Sequence, residues 1–428
     1  MSIDWYLEFV DLNYKPSKTD LICLFRIEPA KGFSMKEAAG RVASESSVGT
    51  WTTLYSLPPR IKKLKGIVFE MKGNLVKIAY PIDDFELGNM PQIFSAIAGN
   101  IFGMKAVEGL RLESIHWPSE MLKSFHGPQF GIPGIRKKFK IYKRPLTATV
   151  PKPKLGMNTE EYVKAAGEIW KGGVDFVKND ENMTSQNFVS FYKTTEKMLN
   201  LKAKIEKETD EVKMYLVNVS AETMEMVKRA KFVADHGGEI VMVDGLTVGW
   251  AGLQTLREVC QELGLAIYMH RAFHSTFTRN PHHGVSMLVI AEVARIIGAD
   301  TIHIGGMGKL VSPENEVLML KDEAEKKFVK GNSHVLAEHW EGIKPIFAVT
   351  SGGLHPGIIP RLIKLLGKDI IIQAGGGVMG HPKGPFYGSK ALRQSIDATM
   401  KNISLKEYAK KHEELALALE KWGTVTPI

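Results

Sequence analysis

Two rhythms of apolar and polar positions divide this chain. Up to about residue 125, short strand-like stretches at 21–27, 66–71 and 75–80 alternate with helical ones such as 34–44, an α+β pattern. The segment 127–134, Gly-Pro-Gln-Phe-Gly-Ile-Pro-Gly, carries the punctuation of a connection. From residue 147 onward, compact apolar runs alternate with amphipathic helices, and the alternation runs eight times. The runs are 147–152, 174–178, 214–219, 240–244, 266–271, 301–304, 345–350 and 370–373, and helices such as 159–171, 221–236, 285–297 and 390–401 fill the gaps. Eight such units in about 260 residues predict an α/β fold, a (β/α)8 TIM barrel. A doubly wound open sheet, the competing architecture, rarely reaches eight regular units. The expected domains are a smaller α+β domain over 1–130 and a barrel over 131–428 with a C-terminal helical extension. The segment 311–340, rich in Glu, Lys and Asp, is expected to hold the sixth helix and a solvated excursion.

Composition changes this picture little. The 428 residues are 44% apolar and 24% charged, ordinary for a globular protein. No apolar run approaches the ~18 residues of a membrane span. The start, Met1-Ser-Ile-Asp-Trp-Tyr-Leu-Glu8, has no basic region and does not read as a signal peptide. Cys23 and Cys260 are too few for a disulfide or zinc framework, so a cytoplasmic protein is expected. The net charge of +9 raises nucleic acid as a partner. Most basic residues are mixed with acids, however, and the two basic clusters at 60–65 and 136–140 lack interleaved stacking aromatics. An anionic small substrate accounts for the excess equally well.

Barrel enzymes gather reactive groups at the C-terminal ends of their strands, where the loops converge over one mouth. Here those ends carry Lys152 and Lys154, then Lys178, Asp180 and Glu181, then Asn218, Asp244, His270 with Arg271, and His303. Ser351-Gly352-Gly353 follows the seventh run and Gly375-Gly376-Gly377 the eighth. Residues i and i+2 of a strand share a face, so Lys178 and Asp180 point one way and Asn179 the other. Two carboxylates suit Mg²⁺, yet an ammonium beside them would repel a cation. On residue chemistry alone a Lys178–Asp180 salt bridge is the plainer reading. The alternative is a lysine that has taken up CO₂ as a carbamate and become a third anionic ligand.

Glycine lets a backbone approach an anion closely, and the loops after strands seven and eight often form a phosphate cradle in this architecture. The two glycine triplets stand in those loops, although a pair of tight turns would also use them. Arg271 could hold a second phosphate through its bidentate fork, which would suggest a sugar bisphosphate. His270, His274 and His303 are candidates for proton transfer. His282, His283, His334 and His339 read as loop or surface residues, and no pattern supports a histidine-only metal site.

The run Gly172-Gly-Val-Asp-Phe-Val-Lys-Asn-Asp-Glu-Asn182 closely resembles the activation motif of ribulose-1,5-bisphosphate carboxylase/oxygenase (RuBisCO) large subunits. Further segments match that family in order: Glu45-Ser-Ser-Val-Gly-Thr-Trp-Thr-Thr53, Gly99-Asn-Ile-Phe-Gly103, Val150-Pro-Lys-Pro-Lys-Leu-Gly156, His270-Arg-Ala-Phe-His274, Ser351-Gly-Gly and Gly375-Gly-Gly-Val-Met-Gly-His-Pro382. The Pro-Lys-Pro-Lys form and the ending Trp422-Gly-Thr-Val-Thr-Pro-Ile428 resemble the archaeal, form III branch.

The resemblance implies a Mg-dependent carbon–carbon lyase. It would act on ribulose 1,5-bisphosphate and CO₂, with O₂ as a competing substrate, in AMP salvage or carbon fixation. Lys178 as the carbamate, Asp180 and Glu181 would hold one Mg²⁺ per site. Lys152 would be the proton donor, supported by Lys154, and His270 would assist. Lys309, paired with Glu45, would stabilise the incoming carboxylate. Thr50, Trp51, Gly353, Gly375 and Gly376 would bind one phosphate, Arg271 and His303 the other. Ser351, beside Gly352, would bind a sugar hydroxyl. Glu45, Thr50, Trp51 and Asn100 would come from a neighbouring subunit, so a homodimer or an assembly of dimers is implied, with no small subunit, nucleic acid or membrane.

The chain departs from the family at Asn179, where Asp is more usual, and at Val150-Pro151, where plant enzymes have Thr and Ile. The loop from His303 to Lys309 is also one residue shorter than in most relatives. Rival readings are a RuBisCO-like sugar-phosphate enolase or isomerase and a non-catalytic sugar-phosphate binding subunit.

Overall fold

The computed structural model describes residues 4–50, 52, 58–306 and 313–425. Its strands, in chain order, are β1 (Leu21–Pro29), β2 (Ile67–Lys72), β3 (Leu75–Tyr80), β4 (Val107–His116), β5 (Leu146–Thr149), β6 (Phe176–Lys178), β7 (Met214–Asn218), β8 (Ile240–Asp244), β9 (Ala266–His270), β10 (Gly284–Val285), β11 (Thr301–Gly305), β12 (Phe328–Val329), β13 (Glu338–His339), β14 (Phe347–Ser351) and β15 (Ile370–Gln373). They fall into two compact units. The first comprises Met1–His126, Phe273–Ile297 and Lys326–Ile343, and the second Gly127–Ala272, Gly298–Glu325 and Lys344–Ile428.

The first unit is built on a five-stranded sheet of order β10-β4-β1-β3-β2, antiparallel except where β10 joins β4. Cys23, Phe25 and Ile27 of β1 are wholly buried at every second position, as a strand facing a core requires. The helix Met35–Glu45 starts where the Ser34 side chain accepts from the Glu37 amide, an N-cap. β12 and β13 form a two-stranded ribbon. Val329, Val335, Glu338 and Trp340 of that region are buried, and the Glu338 carboxylate accepts from the Trp117 amide at 2.9 Å. The expected solvated excursion is exposed along most of 326–340 and is anchored by these four buried residues, whose partners its charged composition conceals.

In the second unit eight parallel strands close a barrel in the order β5-β6-β7-β8-β9-β11-β14-β15. All five residues of β8 are buried, as in parallel strands covered on both faces. The helix Thr159–Lys171 opens on a capping box between Asn158 and Glu161 and buries Tyr162, Ala166, Ile169 and Trp170 at helical spacing.

Alternate residues of the strands point inward: Leu146 and Ala148, Phe176, Met214 and Leu216, Ile240 and Met242, Ala266 and Tyr268, Phe347 and Val349, and Ile371. They form one core with Ile132, Ile135 and Phe139 of the helix Gly131–Phe139. Each of the Leu, Ile, Val, Met and Phe side chains among them contributes roughly 1.5–3 kcal/mol by burial. This helix begins inside the segment expected to be a connection. The buried Asp300 carboxylate accepts from the Phe130 and Gly131 amides at 2.8 and 2.7 Å and from the Ile267 amide at 2.9 Å, and so sets the helix start. Gly131 has φ 58°, and a Cβ there would stand 2.5 Å from the Pro345 carbonyl oxygen, so glycine is required.

Candidate active site

Six of the inward series gain one more step toward the C-terminal end of the strand, and that step is polar; the β5 series runs instead to Val150. Lys178 follows Phe176, Asn218 follows Leu216, Asp244 follows Met242, His270 follows Tyr268, Ser351 follows Val349 and Gln373 follows Ile371. His303 joins them, its ring 4.6 Å from that of His270 and 5.3 Å from that of Tyr268. The same two-residue period that fills the interior with hydrocarbon thus delivers these groups to one mouth.

Lys178 is fully buried, and its Nζ donates to the Asn179 carbonyl oxygen at 2.6 Å. Burial pushes its amine down to about 8, with the Lys152 charge adding to the effect and Asp180, Asp244 and Glu181 opposing it. Asp180 is ion-paired with Lys152, while Lys154 Nζ lies 2.6 Å from Glu181 Oε1 and 4.0 Å from Asp180 Oδ1. The plainer expectation, a Lys178–Asp180 salt bridge, is not what forms among the described residues. Asp180 takes its cation from β5's end instead.

The Asp180 and Glu181 carboxyls act on each other electrostatically. Burial and then the neighbouring Glu181 carboxyl shift Asp180 upward. Burial works against ionisation of Glu181 as well, but the neighbouring Asp180 carboxyl and Lys154 outweigh it and hold Glu181 well below the usual carboxylate range.

Asn179 points away from the mouth, as strand alternation expects. Its Nδ2 donates to the hydroxyls of Tyr215 at 2.9 Å and Tyr162 at 3.2 Å, and its Oδ1 accepts from the Asn218 amide at 2.9 Å. Asp244 accepts from Asn218 Nδ2 at 3.2 Å and Ser220 Oγ at 3.3 Å, and lies 3.2 Å from His270 Nδ1. Burial, then the Lys178 charge, hold the His270 imidazole below its ordinary value against the pull of Asp244. His303 Nδ1 is 3.0 Å from Ser351 Oγ. The Arg271 guanidinium is pushed down to about 10 by burial, and one of its Nη atoms has no hydrogen-bond partner among the described residues.

Gly352 and Gly353 adopt φ of 102° and 67°, conformations that favour glycine. A Cβ on Gly375 would sit 3.6 Å from Lys152 Cε, and one on Gly376 would meet open space. Lys152 therefore passes beside the first glycine of the eighth loop.

The second unit thus brings together Lys152, Lys154, Lys178, Asp180, Glu181 and Gly375, and joins His270 to His303 and Ser351. Glu45, Thr50 and Asn100 belong to the first unit. Glu45 is exposed at the end of its helix, the Thr50 carbonyl accepts from Trp5 Nε1 at 3.3 Å, and Asn100 is exposed before the turn Ile101–Gly103. Trp51 and Lys309 lie outside the described residues. Sequence reasoning places Asn218 and Asp244 at strand ends without a role and misses Gln373, whose Oε1 accepts from the Tyr268 hydroxyl at 2.7 Å. Counting by twos from the hydrophobic interior finds Gln373.

Among the described residues no group of three or more His, Cys, Asp or Glu side chains is placed to hold a metal ion. Asp180 and Glu181 supply two neighbouring carboxylates, which suit a hard divalent cation, while Lys178 as an amine supplies no oxygen donor.

Residues 131–422 match the family model described as the ribulose bisphosphate carboxylase large chain, catalytic domain, and residues 8–121 match that of its N-terminal domain. The chain belongs to the RuBisCO large-chain family. Its matched relatives include the ribulose bisphosphate carboxylase of Pyrococcus abyssi, 50% identical over all of this chain and 99% of the relative. That of Archaeoglobus fulgidus is 45% identical over 99% of each. Among solved structures, a dimeric archaeal Rubisco from Hyperthermus butylicus superposes with a TM-score of 0.94 at 50% identity, covering 99% of this chain and 100% of that one. An octameric Rubisco from Pyrococcus horikoshii, solved in complex with sulfate ion, gives 0.93 at 50% identity over 98% and 97% of the two chains. As a family member with the catalytic domain matched, the chain is an enzyme of the carbon–carbon lyase class.

Proposed function

We propose that the chain is a ribulose-1,5-bisphosphate carboxylase that converts the sugar bisphosphate, CO₂ and water into two molecules of 3-phosphoglycerate. The observation that carries this reading is Lys178: a wholly buried amine, pushed down to about 8 by burial, beside two carboxylates. Only a neutral amine adds CO₂, so burial favours the carbamate-forming state. The carbamate then gives Asp180 and Glu181 the third oxygen donor they lack. Mg²⁺ held by these three groups would supply the positive charge that makes the substrate's C3 proton acidic.

The basic carbamate on Lys178 removes that C3 proton, leaving an enediol. CO₂ adds at C2, water adds at C3, and cleavage of the C2–C3 bond leaves a carbanion that Lys152 protonates. In the structure Lys152 and Lys154 neutralise Asp180 and Glu181. With Asp180 and Glu181 engaged by a dication, both ammonium groups would be released from them and Lys152 would be free to act as an acid. Lys154 supports it electrostatically, and His270, whose imidazole burial keeps below its ordinary value, assists in hydration.

Gly353, Gly375 and Gly376, with Thr50 and Trp51, cradle one phosphate. Arg271 and His303 take the other, and the guanidinium's lack of a full set of hydrogen bonds supports an anionic guest there. Ser351, beside Gly352, binds a sugar hydroxyl. Lys309 with Glu45 stabilises the incoming carboxylate. Glu45, Thr50, Trp51 and Asn100 come from a second copy, which makes a homodimer, alone or in a larger assembly, the active form. O₂ competes with CO₂ at the enediol and gives 2-phosphoglycolate. The enzyme works in the cytoplasm, in AMP salvage or carbon fixation.

The test is product analysis with ribulose bisphosphate and Mg²⁺, with and without CO₂ preincubation. Formation of 3-phosphoglycerate that rises with preincubation is expected. Absence of that product under every condition sinks the reading.

A further inference from the structure

Behind the two glycine loops lies a buried histidine to which the mechanism gives no part. His355 stands two residues beyond Gly353, is 2% exposed, and faces the neighbouring loop so closely that a Cβ on Gly377 would lie 2.7 Å from its Cα. The two loops therefore meet at this residue. Its Nε2 donates to the Val425 carbonyl oxygen at 3.0 Å, and its ring lies 5.9 Å from that of Trp422, tilted by 34°.

The segment 421–425 also grips each loop separately. A Cβ on Gly357 would stand 1.8 Å from the Gly423 carbonyl oxygen, so the seventh loop touches the segment backbone to backbone. Lys421 Nζ donates to the Gly380 carbonyl oxygen at 2.6 Å, at the far end of the turn that follows Gly375 and Gly376. One short stretch of chain thus spans both loops, and His355 is the side chain that fastens it at their junction.

We propose that His355 is a positioning residue for the phosphate cradle: by holding the segment 421–425 across the loops after β14 and β15, it fixes the spacing at which Gly352, Gly353, Gly375 and Gly376 present their amides to an anion. This rests on the phosphate-binding reading above and adds to it a residue and a strap outside the substrate's reach. Binding energy at a cradle depends on how far the loops must be ordered when the anion arrives. A strap already in place lowers that cost, so its loss weakens ground-state binding far more than it slows the chemistry.

The test compares the intact protein with His355→Ala, His355→Gln, and a chain stopped after Thr424, which removes the Val425 acceptor and leaves every side chain through Thr424. Sulfate and ribulose bisphosphate binding are read by calorimetry, kcat and KM by product formation, and folding by thermal melting. His355→Ala and the truncation should each weaken binding of both ligands and raise KM about tenfold, with kcat changed less than threefold. His355→Gln, which keeps an N–H donor, should recover most of the loss, and the double variant should be no worse than either single one.

If His355→Ala does not fold, the truncation alone carries the measurement. Affinities within twofold of the intact protein in both single variants, a fall in kcat at constant KM, or losses that multiply in the double variant would overturn the proposal. Failure of the intact protein itself to bind either ligand would instead overturn the phosphate reading on which the strap depends.

Discussion

Lys178 Nζ donates to the carbonyl oxygen of its own neighbour, Asn179, at 2.6 Å, and forms no ion pair with Asp180 two positions on. A lysine buried in this way is held for a purpose other than charge neutralisation, since Lys152 and Lys154 already serve the adjacent carboxylates. Lys178→Ala should lower turnover at least 1000-fold, about 4 kcal/mol of barrier. It should also abolish the carbamate carbon signal seen by ¹³C magnetic resonance after labelled CO₂ and Mg²⁺ are added. A loss below about tenfold would argue against any part for this amine in the chemistry.

Arg271 gives a prediction with two opposite signs. Its guanidinium is buried with an unfilled donor, so replacing it by an apolar chain removes a desolvated cation. Arg271→Met should leave resistance to urea unchanged or raised, while KM for the bisphosphate climbs about 10- to 100-fold, the value of one charge-assisted phosphate contact. A parallel loss of stability and affinity would mean that the arginine is structural.

At the opposite end of the barrel Asp175 receives both arms of Arg144 at 2.7 Å and the Thr147 amide and hydroxyl at 2.8 Å. Burial alone would raise its pKa, but Arg144, with Arg393 and Lys213, brings it down to about 2. The folded value lies below the unfolded one, so this group's stabilisation is present in full above the unfolded value of 3.8 and is lost as pH falls through 2. The shift corresponds to on the order of 2 kcal/mol. Asp175→Asn should flatten the acid-unfolding curve across that window. It should also cost about 3–5 kcal/mol at neutral pH, because Arg144 is left buried without its counter-charge. Denaturant titrations at stepped pH read both effects.

Ile135, wholly buried in the helix that floors the barrel, offers a control on the chemistry. Ile135→Ala should lose about 2–5 kcal/mol of stability through the cavity it leaves. Turnover at saturating substrate should stay within twofold below the melting range, as measured by product formation. A collapse of turnover in protein that is still folded would show that floor and mouth are mechanically coupled.

What the sequence disclosed depended on how local the signal was. The strand over Ile240–Asp244 and the helix over Thr159–Lys171 were readable to the residue, since each has an uninterrupted apolar pattern and, for the helix, a capping box. The metal-binding candidates stood out because Lys, Asp and Glu fall together at one strand end. The floor helix did not, because its start is set by Asp300, some 170 positions away, and its glycines and prolines signal a turn to any local reading. The anchoring of the 326–340 excursion at Glu338 is not legible, because charge is visible in a sequence and the Trp117 amide that accommodates it is not. Gln373 carries a legible signal, its parity with the interior Ile371, that a search confined to charged residues and glycines passes over.

The ladder of alternate residues, hydrocarbon below and functional groups on the last rung, has a developmental consequence for the family. Reprogramming a top rung changes reactivity without disturbing what holds the cylinder shut, and repacking a lower rung does the reverse. Inserting or deleting a single residue within a strand such as β6 is a different matter. It would turn Lys178 outward among the surrounding helices and bring a neighbour in, so drift in length should be confined to the connecting loops, and new chemistry should arise by substitution at fixed positions.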